Sequence, residues 1–208
     1  MENLTDLFKI IELTRSQTQQ GYILAGIKRG EISNLAEHHY LVTFIAWQLA
    51  LHANAKGAKI DVQKVLEFSL IHDLGELFGG DIAMPYAGVN PKARGFAKQF
   101  EAENQRFLSK FFGDQQSYYQ KLSDEIMDAK SDESIIAKLA DFVEVTHYKQ
   151  YVGVFSEADV KLVEPKLMTK LEKIKDPVVK QVLSAFIKQW FKGIFTASLD
   201  KILYQDKE

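Results

Sequence analysis

Apolar residues recur at the spacing of an α-helix along most of the chain, and alternating strand-like patterns are weak. A second helix is expected to begin near Ser33 or Asn34, either of which could cap it, and to run to about Lys56. Because this segment is apolar on nearly all sides, it is typical of the centre of a helical bundle. The first segment gathers its apolar residues near one face, at Leu4, Leu7, Phe8, Ile11 and Leu13. The pattern predicts an all-α fold.

Six further helical segments are predicted in the rest of the chain. Asp61 can cap the first of them, which is expected to end at the pair Gly79–Gly80. Residues 81–95 are predicted to form a loop that two prolines restrict. The other segments are expected at Phe96–Phe112, Gln115–Lys130, Asp132–Tyr151, Glu157–Lys173 and Pro177–Tyr204. Pro165 is expected to interrupt the fourth of these. No repeat or linker divides the chain, so residues 1–208 are expected to form one domain.

The composition excludes several classes of site and partner. The chain contains no cysteine, which excludes disulfides, a thiol nucleophile and Cys-ligated zinc or iron–sulfur centres. Its formal net charge of −2 argues against electrostatic binding to a nucleic-acid polymer, which usually needs a basic surface. No stretch approaches the roughly 18 to 20 apolar residues that span a bilayer, and the start lacks a signal-peptide hydrophobic region. We therefore expect a cytoplasmic protein without membrane partners.

The segment IHDLGELFGGD carries two adjacent candidate metal ligands, His72 and Asp73. On a helix their side chains diverge by about 100°, yet both could reach an ion beside the helix. A hydrolytic divalent metal takes nitrogen and oxygen ligands, and His38 in AEHHY could supply a second nitrogen. Asp141 is the leading candidate for a further carboxylate, because its charge lies in an apolar helical run and needs a partner. Taken alone, each histidine could instead pack in the core, and Asp141 could form an interhelical salt bridge.

The pattern His38…His72-Asp73…Asp141 resembles the H…HD…D signature of the HD-domain metal-dependent phosphohydrolases. The segments NLAEHHY, HDLGELFGGDIAMP and KLADFVE are similar to three segments of the 5′-deoxynucleotidase branch of that family. The similarity covers about residues 13–144, and its central segment is the most specific part.

The resemblance implies an HD-domain helical bundle, with a metal-site core over about residues 13–150 and additional C-terminal helices over about residues 157–204. It implies one divalent ion, manganese, cobalt or a similar metal, bound by His38, His72, Asp73 and Asp141. Family members release phosphate from deoxynucleoside 5′-monophosphates. The implied partner is therefore a small-molecule phosphate ester, most simply a nucleotide.

Two further acidic residues, Glu76 and Asp81, match the family pattern, which implies that they orient or activate the attacking water. Glu76 lies four residues after His72, so on a continuous helix it would lie on the same face, one turn further on. Asp81 follows the glycine pair, from which its side chain could turn back over the site. Without the metal pattern, Glu76 would be interpreted as an exposed helix residue and Asp81 as a loop cap.

The sequence departs from the family pattern ahead of the first histidine ligand. The deoxynucleotidase branch carries there an arginine near a Gly-Trp pair, and this arginine is associated with the substrate phosphate. Here Gln19 takes its place, and Gly21-Tyr22 stands for Gly-Trp. Because glutamine lacks the charge and the bidentate fork of arginine, another cation must be sought, and Arg29, Lys28 and Arg15 are the candidates. We expect Arg29 in the approach loop to supply it, although it could equally be an exposed loop charge. Most aromatic residues are expected to pack in the core, and Tyr22 and Tyr86, in predicted loops near the motifs, are the candidates for stacking on a base.

The departure at Gln19 leaves two alternative functions open. The substrate could be a nucleoside triphosphate, a cyclic nucleotide or a phosphate ester without a nucleoside. The chain could also bind a nucleotide in a metal-centred pocket without turnover.

Two smaller predictions concern the neighbour of the first ligand and the assembly. His39 is expected to point away from the site, since adjacent helical residues do not share a face. A homodimer is expected because apolar residues near the C-terminus look exposed, namely Phe191, Ile194 and Phe195.

Overall fold

The computed structural model describes residues 2–79, 81–195 and 202, which form helices joined by short turns. The α-helices in this part of the chain are α1 Glu2–Ile11, α2 Gln20–Leu24, α3 Leu35–Ala55, α4 Val62–Ile71, α5 Met84–Val89, α6 Pro91–Ser109, α7 Gln116–Asp128, α8 Asp132–Tyr151, α9 Glu157–Glu172 and α10 Pro177–Gly193. Short 3₁₀ turns lie at Glu12–Arg15, Arg29–Glu31, Leu74–Phe78 and Lys110–Gln115. Since the described residues contain no strand beyond an isolated bridge, the all-α prediction is confirmed.

Helices α3, α4 and α8 pack against one another at the centre of the bundle. Small residues on α3, including Ala46 and Ala50, are fully buried, and Ile136 and Ala140 of α8 belong to the same core. Helices α9 and α10 cover this core with Leu167, Leu171, Leu183 and Ile187. Because the core is continuous across all five helices, α9 and α10 hold α8 in a fixed position.

Side-chain caps decide where the central helices begin. Asn34 accepts a hydrogen bond from the backbone N–H of Glu37 (3.0 Å), and the Glu37 carboxylate accepts one from the backbone N–H of Asn34 (3.1 Å). This capping box satisfies donors that the first helical turn leaves free. Asp61 likewise accepts from the N–H of Lys64 at the start of α4 (3.1 Å). The predicted caps at Asn34 and Asp61 are therefore confirmed.

The predicted continuous helix from Asp61 to Phe78 is wrong, because α4 ends at Ile71. Asp73 has φ −121° and ψ 15°, outside the helical region, and a 3₁₀ turn follows it. Two amides from α6 stabilise the break: Gln105 donates to the carbonyl of Ile71 (3.0 Å) and Asn104 to that of Gly75 (2.6 Å). Carbonyls that lost their helical donors thus gain side-chain donors from another helix.

Two other local predictions are also wrong. The stretch 81–95 is helical in large part, because Asn90 accepts from the N–H of Ala93 (3.1 Å) and Pro91 occupies the first turn of α6. Pro165 lies inside α9 without ending it. The predicted end of the last helix, between residue 196 and Tyr204, lies outside the described residues except for residue 202.

The C-terminal residues that were expected to be exposed are largely covered. Ile194 is 3% exposed, and Phe191 packs against the main core. Phe195 is 53% exposed and stacks on Phe155. The apolar surface on which the homodimer prediction rests is therefore smaller than the sequence suggests. Within the described chain, no helix combines the length and the apolar character needed to cross a membrane.

Candidate metal centre and active site

The four candidate ligands meet in one cluster at the centre of the bundle. One ligand atom each from His38, His72, Asp73 and Asp141 lie within 4.8 Å of one another. The Nε2 atoms of the two histidines are 3.2 Å apart. The Nε2 atom of His38 lies 3.6 Å from Oδ2 of Asp73 and 3.6 Å from Oδ1 of Asp141. Residues far apart in the sequence thus face a common point.

The break after α4 explains how adjacent residues can share one site. His38 lies in the second turn of α3, and Asp141 lies midway along α8. His72 and Asp73 occupy the turn between α4 and the 3₁₀ segment, and their side-chain atoms Nε2 and Oδ2 are 3.3 Å apart. On a continuous helix these two side chains would diverge, so leaving the helical path brings them to the same side.

Hydrogen bonds fix the direction of both imidazole lone pairs. The Nδ1 atom of His38 lies 2.6 Å from Oε2 of Glu144, and Nδ1 of His72 lies 2.8 Å from the carbonyl of Ser69. The Ser69 carbonyl can only accept, and the Glu144 carboxylate can only accept when it is ionised. Each Nδ1 atom therefore carries a proton and donates it. In the neutral rings both Nε2 lone pairs then face the shared point. Two such lone pairs 3.2 Å apart repel unless a cation lies between them.

The geometry and chemistry of this donor set fit a divalent metal ion. Metal bonds of about 2.1 Å to nitrogen and oxygen place neighbouring ligand atoms roughly 3.0 to 3.4 Å apart. The observed separations of 3.2, 3.3 and 3.6 Å lie close to that range. Two imidazoles and two carboxylates suit a transition ion, and the carboxylate and carbonyl behind the rings are the usual outer partners of metal-bound histidines.

The surrounding charges show that the cluster selects for positive charge at its centre. Burial alone would lower the pKa of His38, but hydrogen bonds with Asp73 and Glu144 and the charge of Asp141 raise it to about 10. Burial alone would raise the pKa of Asp73, but the charges of His72 and Lys138 hold it well below its usual range. The Nζ atom of Lys138 lies 3.5 Å from Oδ1 of Asp73. The surrounding carboxylates would stabilise the positive charge of either a proton or a metal ion at this point.

The two acidic residues predicted to handle water lie beside the ligands. Burial and the negative charge of Asp73 raise the pKa of Glu76 well above its usual range. Burial and the charge of Asp73 also raise the pKa of Asp81 to about 6. Glu76 belongs to the 3₁₀ turn, so its expected position on the same helical face as His72 is wrong. Asp81 also accepts a hydrogen bond from the backbone N–H of Gly21 (3.3 Å), which joins it to the start of α2.

The four residues considered for substrate binding lie in different surroundings. Gln19 is 8% exposed at the start of α2, and no described residue forms a hydrogen bond with its side-chain amide. Tyr22 is 2% exposed and its hydroxyl donates to Glu144 (3.3 Å), so its ring does not offer the open face that the predicted base stacking requires. Arg29 is exposed in the 3₁₀ turn, and it is not among the charges that most shift the pKa values of the site residues. Tyr86, 46% exposed, accepts a hydrogen bond from Asn90.

Two residues next to the cluster have roles that the sequence did not indicate. His39 was expected to point away, but its ring centroid lies 4.8 Å from that of His72, and burial lowers its pKa well below the usual value. Its Nε2 atom is buried without a hydrogen-bond partner in the described chain. Glu144 contacts both His38 and Tyr22 and so connects α8 to α3 and α2. The motif KLADFVE contains Glu144, but only the fold shows that it supports His38.

Comparison with known proteins places this arrangement in context. A family model described as the HD domain matches residues 11–181. A 5′-deoxynucleotidase of Photorhabdus laumondii is 27% identical and is matched over 81% of this chain and 84% of its own length. A 5′-deoxynucleotidase of Vibrio vulnificus is 36% identical over 36% of this chain. The chain spans about 40% of the length of the Vibrio relatives it matches.

Solved structures share the architecture at low sequence identity. A conserved hypothetical protein from Pyrococcus furiosus has a TM-score of 0.70 and 23% identity, with 90% of this chain and 99% of that chain covered. A predicted metal-dependent phosphohydrolase from Magnetospirillum magnetotacticum has a TM-score of 0.66 and 17% identity, with 94% and 95% covered. These similarities show the fold, and the HD-domain model matches most of the sequence. The chain therefore belongs to the HD-domain family.

Proposed function

We propose that this protein is a metal-dependent phosphohydrolase that releases phosphate from deoxynucleoside or nucleoside 5′-monophosphates. The HD-domain match and the similarity to the 5′-deoxynucleotidases of Photorhabdus laumondii and Vibrio vulnificus support this activity. The observation that carries the proposal is the pair of Nε2 lone pairs of His38 and His72, which face one point together with two carboxylates.

One divalent ion, manganese, cobalt or a similar metal, is held in this proposal by His38, His72, Asp73 and Asp141. When bound, it acts as a Lewis acid toward a phosphoryl oxygen and makes water a better nucleophile. Glu144 and the carbonyl of Ser69 keep the two imidazoles in the protonation state and orientation that this ligand set needs.

Glu76 and Asp81 manage the protons of the reaction. The oxygen of water attacks phosphorus, the bond between phosphorus and the sugar oxygen breaks, and the leaving oxygen takes up a proton. Glu76 has a raised pKa, so its carboxylate is suited to take the proton that the attacking water loses. Burial raises the pKa of Asp81, which suits its carboxyl group to hold a proton and give it to the leaving oxygen.

Metal content and phosphate release from the same preparation test the proposal. We expect purified protein to retain a stoichiometric transition metal and to release phosphate from a panel of nucleoside 5′-monophosphates. Asp73→Ala is expected to lose both properties, whereas Asp124→Ala on the exposed face of α7 is expected to retain them. Wild-type protein without metal, or an Asp73→Ala variant as active as wild type, would contradict the proposal.

The same panel separates the monophosphate from other substrates. Gln19, which lacks the charge of an arginine, motivates including nucleoside triphosphates, cyclic nucleotides and phosphate esters without a nucleoside. A strong preference for a triphosphate would reject the monophosphate substrate while retaining the metal site. Tight nucleotide binding without phosphate release in any metal would instead support a binding module. The homodimer stays a prediction, which the molar mass in solution tests.

A further inference from the structure

We infer that Lys170 of α9 binds the phosphate of the substrate and supplies the positive charge that Gln19 does not provide. This inference rests on the proposed function, because it assigns the phosphate group of that reaction to one side chain. The supporting observation is that the ammonium of Lys170, although it belongs to α9, lies against the face of α8 that borders the metal ligands.

The contacts of α8 locate Lys170 relative to the cluster. Lys138 and Phe142 are four residues apart on α8, so they share one face of that helix. Lys138 approaches Asp73 on this face, with its Nζ atom 3.5 Å from Oδ1. The Nζ atom of Lys170 lies 5.3 Å from the centroid of the Phe142 ring, next to Asp141 in the sequence. Lys170 therefore reaches from α9 over the side of α8 that carries the site.

Packing holds the stem of Lys170 in place. Its neighbours Leu167 and Leu171 are buried in the main core, which fixes this part of α9 against α8. Lys170 itself is half-buried, so a ligand can reach its ammonium group. A lysine anchored by its own helix pays little additional entropy to order itself around an anion.

The ammonium of Lys170 has no neutralising partner in the described part of the chain. No carboxylate oxygen of these residues lies within 4.0 Å of its nitrogen, and no hydrogen bond is formed by it. Burial and the positive charge of Lys138 lower its pKa to about 8, the charge of Asp141 acts in the opposite direction, and Lys173 and Lys98 add to the lowering. Cations therefore surround this edge of the site, which favours an anionic ligand.

The other cations near the site are less suited to this task. The charge of Lys138 is already directed to the carboxylate of Asp73. Arg29 lies in an exposed turn, and the Gln19 amide is neutral. The site also contains several carboxylates, including Asp73, Asp141 and Glu76, which repel a phosphate dianion. A free cation at its edge offsets that repulsion.

Charge-removing and charge-keeping variants of the metal-loaded, full-length protein test the inference. Lys170→Met keeps an unbranched stem against Phe142 but removes the charge, whereas Lys170→Arg keeps the charge. Lys161→Met, on an exposed position of the same helix, is the matched control. The affinity for inorganic phosphate is measured by calorimetry, and KM and kcat are measured with a deoxynucleoside monophosphate.

We expect Lys170→Met to weaken phosphate binding and to raise KM by about tenfold to a hundredfold, with kcat changed much less. Lys170→Arg is expected to restore most of the affinity, and Lys161→Met to behave as wild type. Unchanged phosphate affinity in a folded Lys170→Met variant overturns the inference, including when kcat alone falls. If wild type releases no phosphate from any nucleotide, the proposed function fails, and the calorimetric comparison still decides the role of Lys170.

Discussion

The Nε2 atoms of His38 and His72 lie 3.2 Å apart, and the Nδ1 atom of each ring donates to an oxygen behind it. In this arrangement neither ring can turn without losing a buried hydrogen bond. The two Nε2 atoms are therefore held toward each other before any ion arrives, and a proton on His38 must leave as the ion binds. Such preorganisation reduces the entropy that metal binding must overcome.

The first prediction concerns Glu144, which accepts the Nδ1 proton of His38. Glu144→Gln replaces the carboxylate by an amide that can turn a donor toward the ring. We expect the affinity for the metal to fall by about tenfold to a hundredfold, as measured by competition with a chelator. Glu164→Gln on the exposed side of α9 is the control. Equal affinities in wild type and Glu144→Gln would show that His38 does not need this partner.

The second prediction concerns removal of the metal. Since an ion that binds only the folded chain stabilises it by mass action, a free concentration one hundred times the dissociation constant adds about 2.7 kcal/mol to the free energy of unfolding. A chelator should therefore lower the melting temperature of wild type. It should have little effect on Asp141→Asn, which has lost a charged ligand. A chelator response of the same size in Asp141→Asn would exclude Asp141 from the metal site.

The third prediction concerns Gly75, which lies in the 3₁₀ turn after the ligands. A Cβ atom at this position would lie 2.5 Å from Cγ of Glu101 and 2.7 Å from its carbonyl oxygen. Because the backbone of α6 cannot move aside freely, Gly75→Ala should reduce the free energy of unfolding by about 1 to 3 kcal/mol. Gly30→Ala, where nothing lies within 4 Å of the added atom, is the control. Denaturant unfolding of both variants measures the difference, and equal stabilities would contradict the close contact.

The fourth prediction concerns the pH dependence of an ion pair between α8 and α9. Burial raises the pKa of Asp159, but hydrogen bonds from Lys149 and Ser156 outweigh it and lower the pKa below its usual value. A carboxyl whose pKa is lowered on folding stabilises the fold above its unfolded pKa and loses that contribution as the pH falls. Asp159→Asn should therefore cost about 1 kcal/mol at pH 7 and progressively less below about pH 4.

Thermal unfolding of wild type and Asp159→Asn across this pH range measures that trend. Asp114→Asn, at an exposed position, controls for the general loss of a negative charge. A stability difference between wild type and Asp159→Asn that stayed constant from pH 7 to pH 3 would rule out titration of Asp159 as its source.

The parts of the fold that depend on local signals were predictable from the sequence. Asn34 and Asp61 are strong caps that act within their own turn, so the starts of α3 and α4 follow from neighbouring residues. Helix α8 spans Asp132–Tyr151, as its apolar spacing predicts. The ligand set was identified through its resemblance to a family signature, and its members lie together in the fold.

The parts that depend on distant contacts were not predictable in the same way. The end of α4 at Ile71 depends on a side-chain amide donor from α6, and no pattern of residues near Ile71 predicts this contact. Tyr22 occupies a loop-like stretch in the sequence, yet it belongs to α2 and is buried against Glu144 and Tyr148 of α8. Lys170 is one lysine among many until α9 packs on α8 and places it over Phe142.

The break at Ile71 gives an ion at this site a topological effect. His38 and His72 are 34 positions apart, and Asp141 lies much further along the chain on α8. An ion that binds all three would cross-link the folded chain and close two long loops, so those loops would be free to open only when the ion leaves. The same few atoms that bind the ion would thus also link the three central helices. Loss of the ion would therefore affect both the reaction and the packing of the bundle.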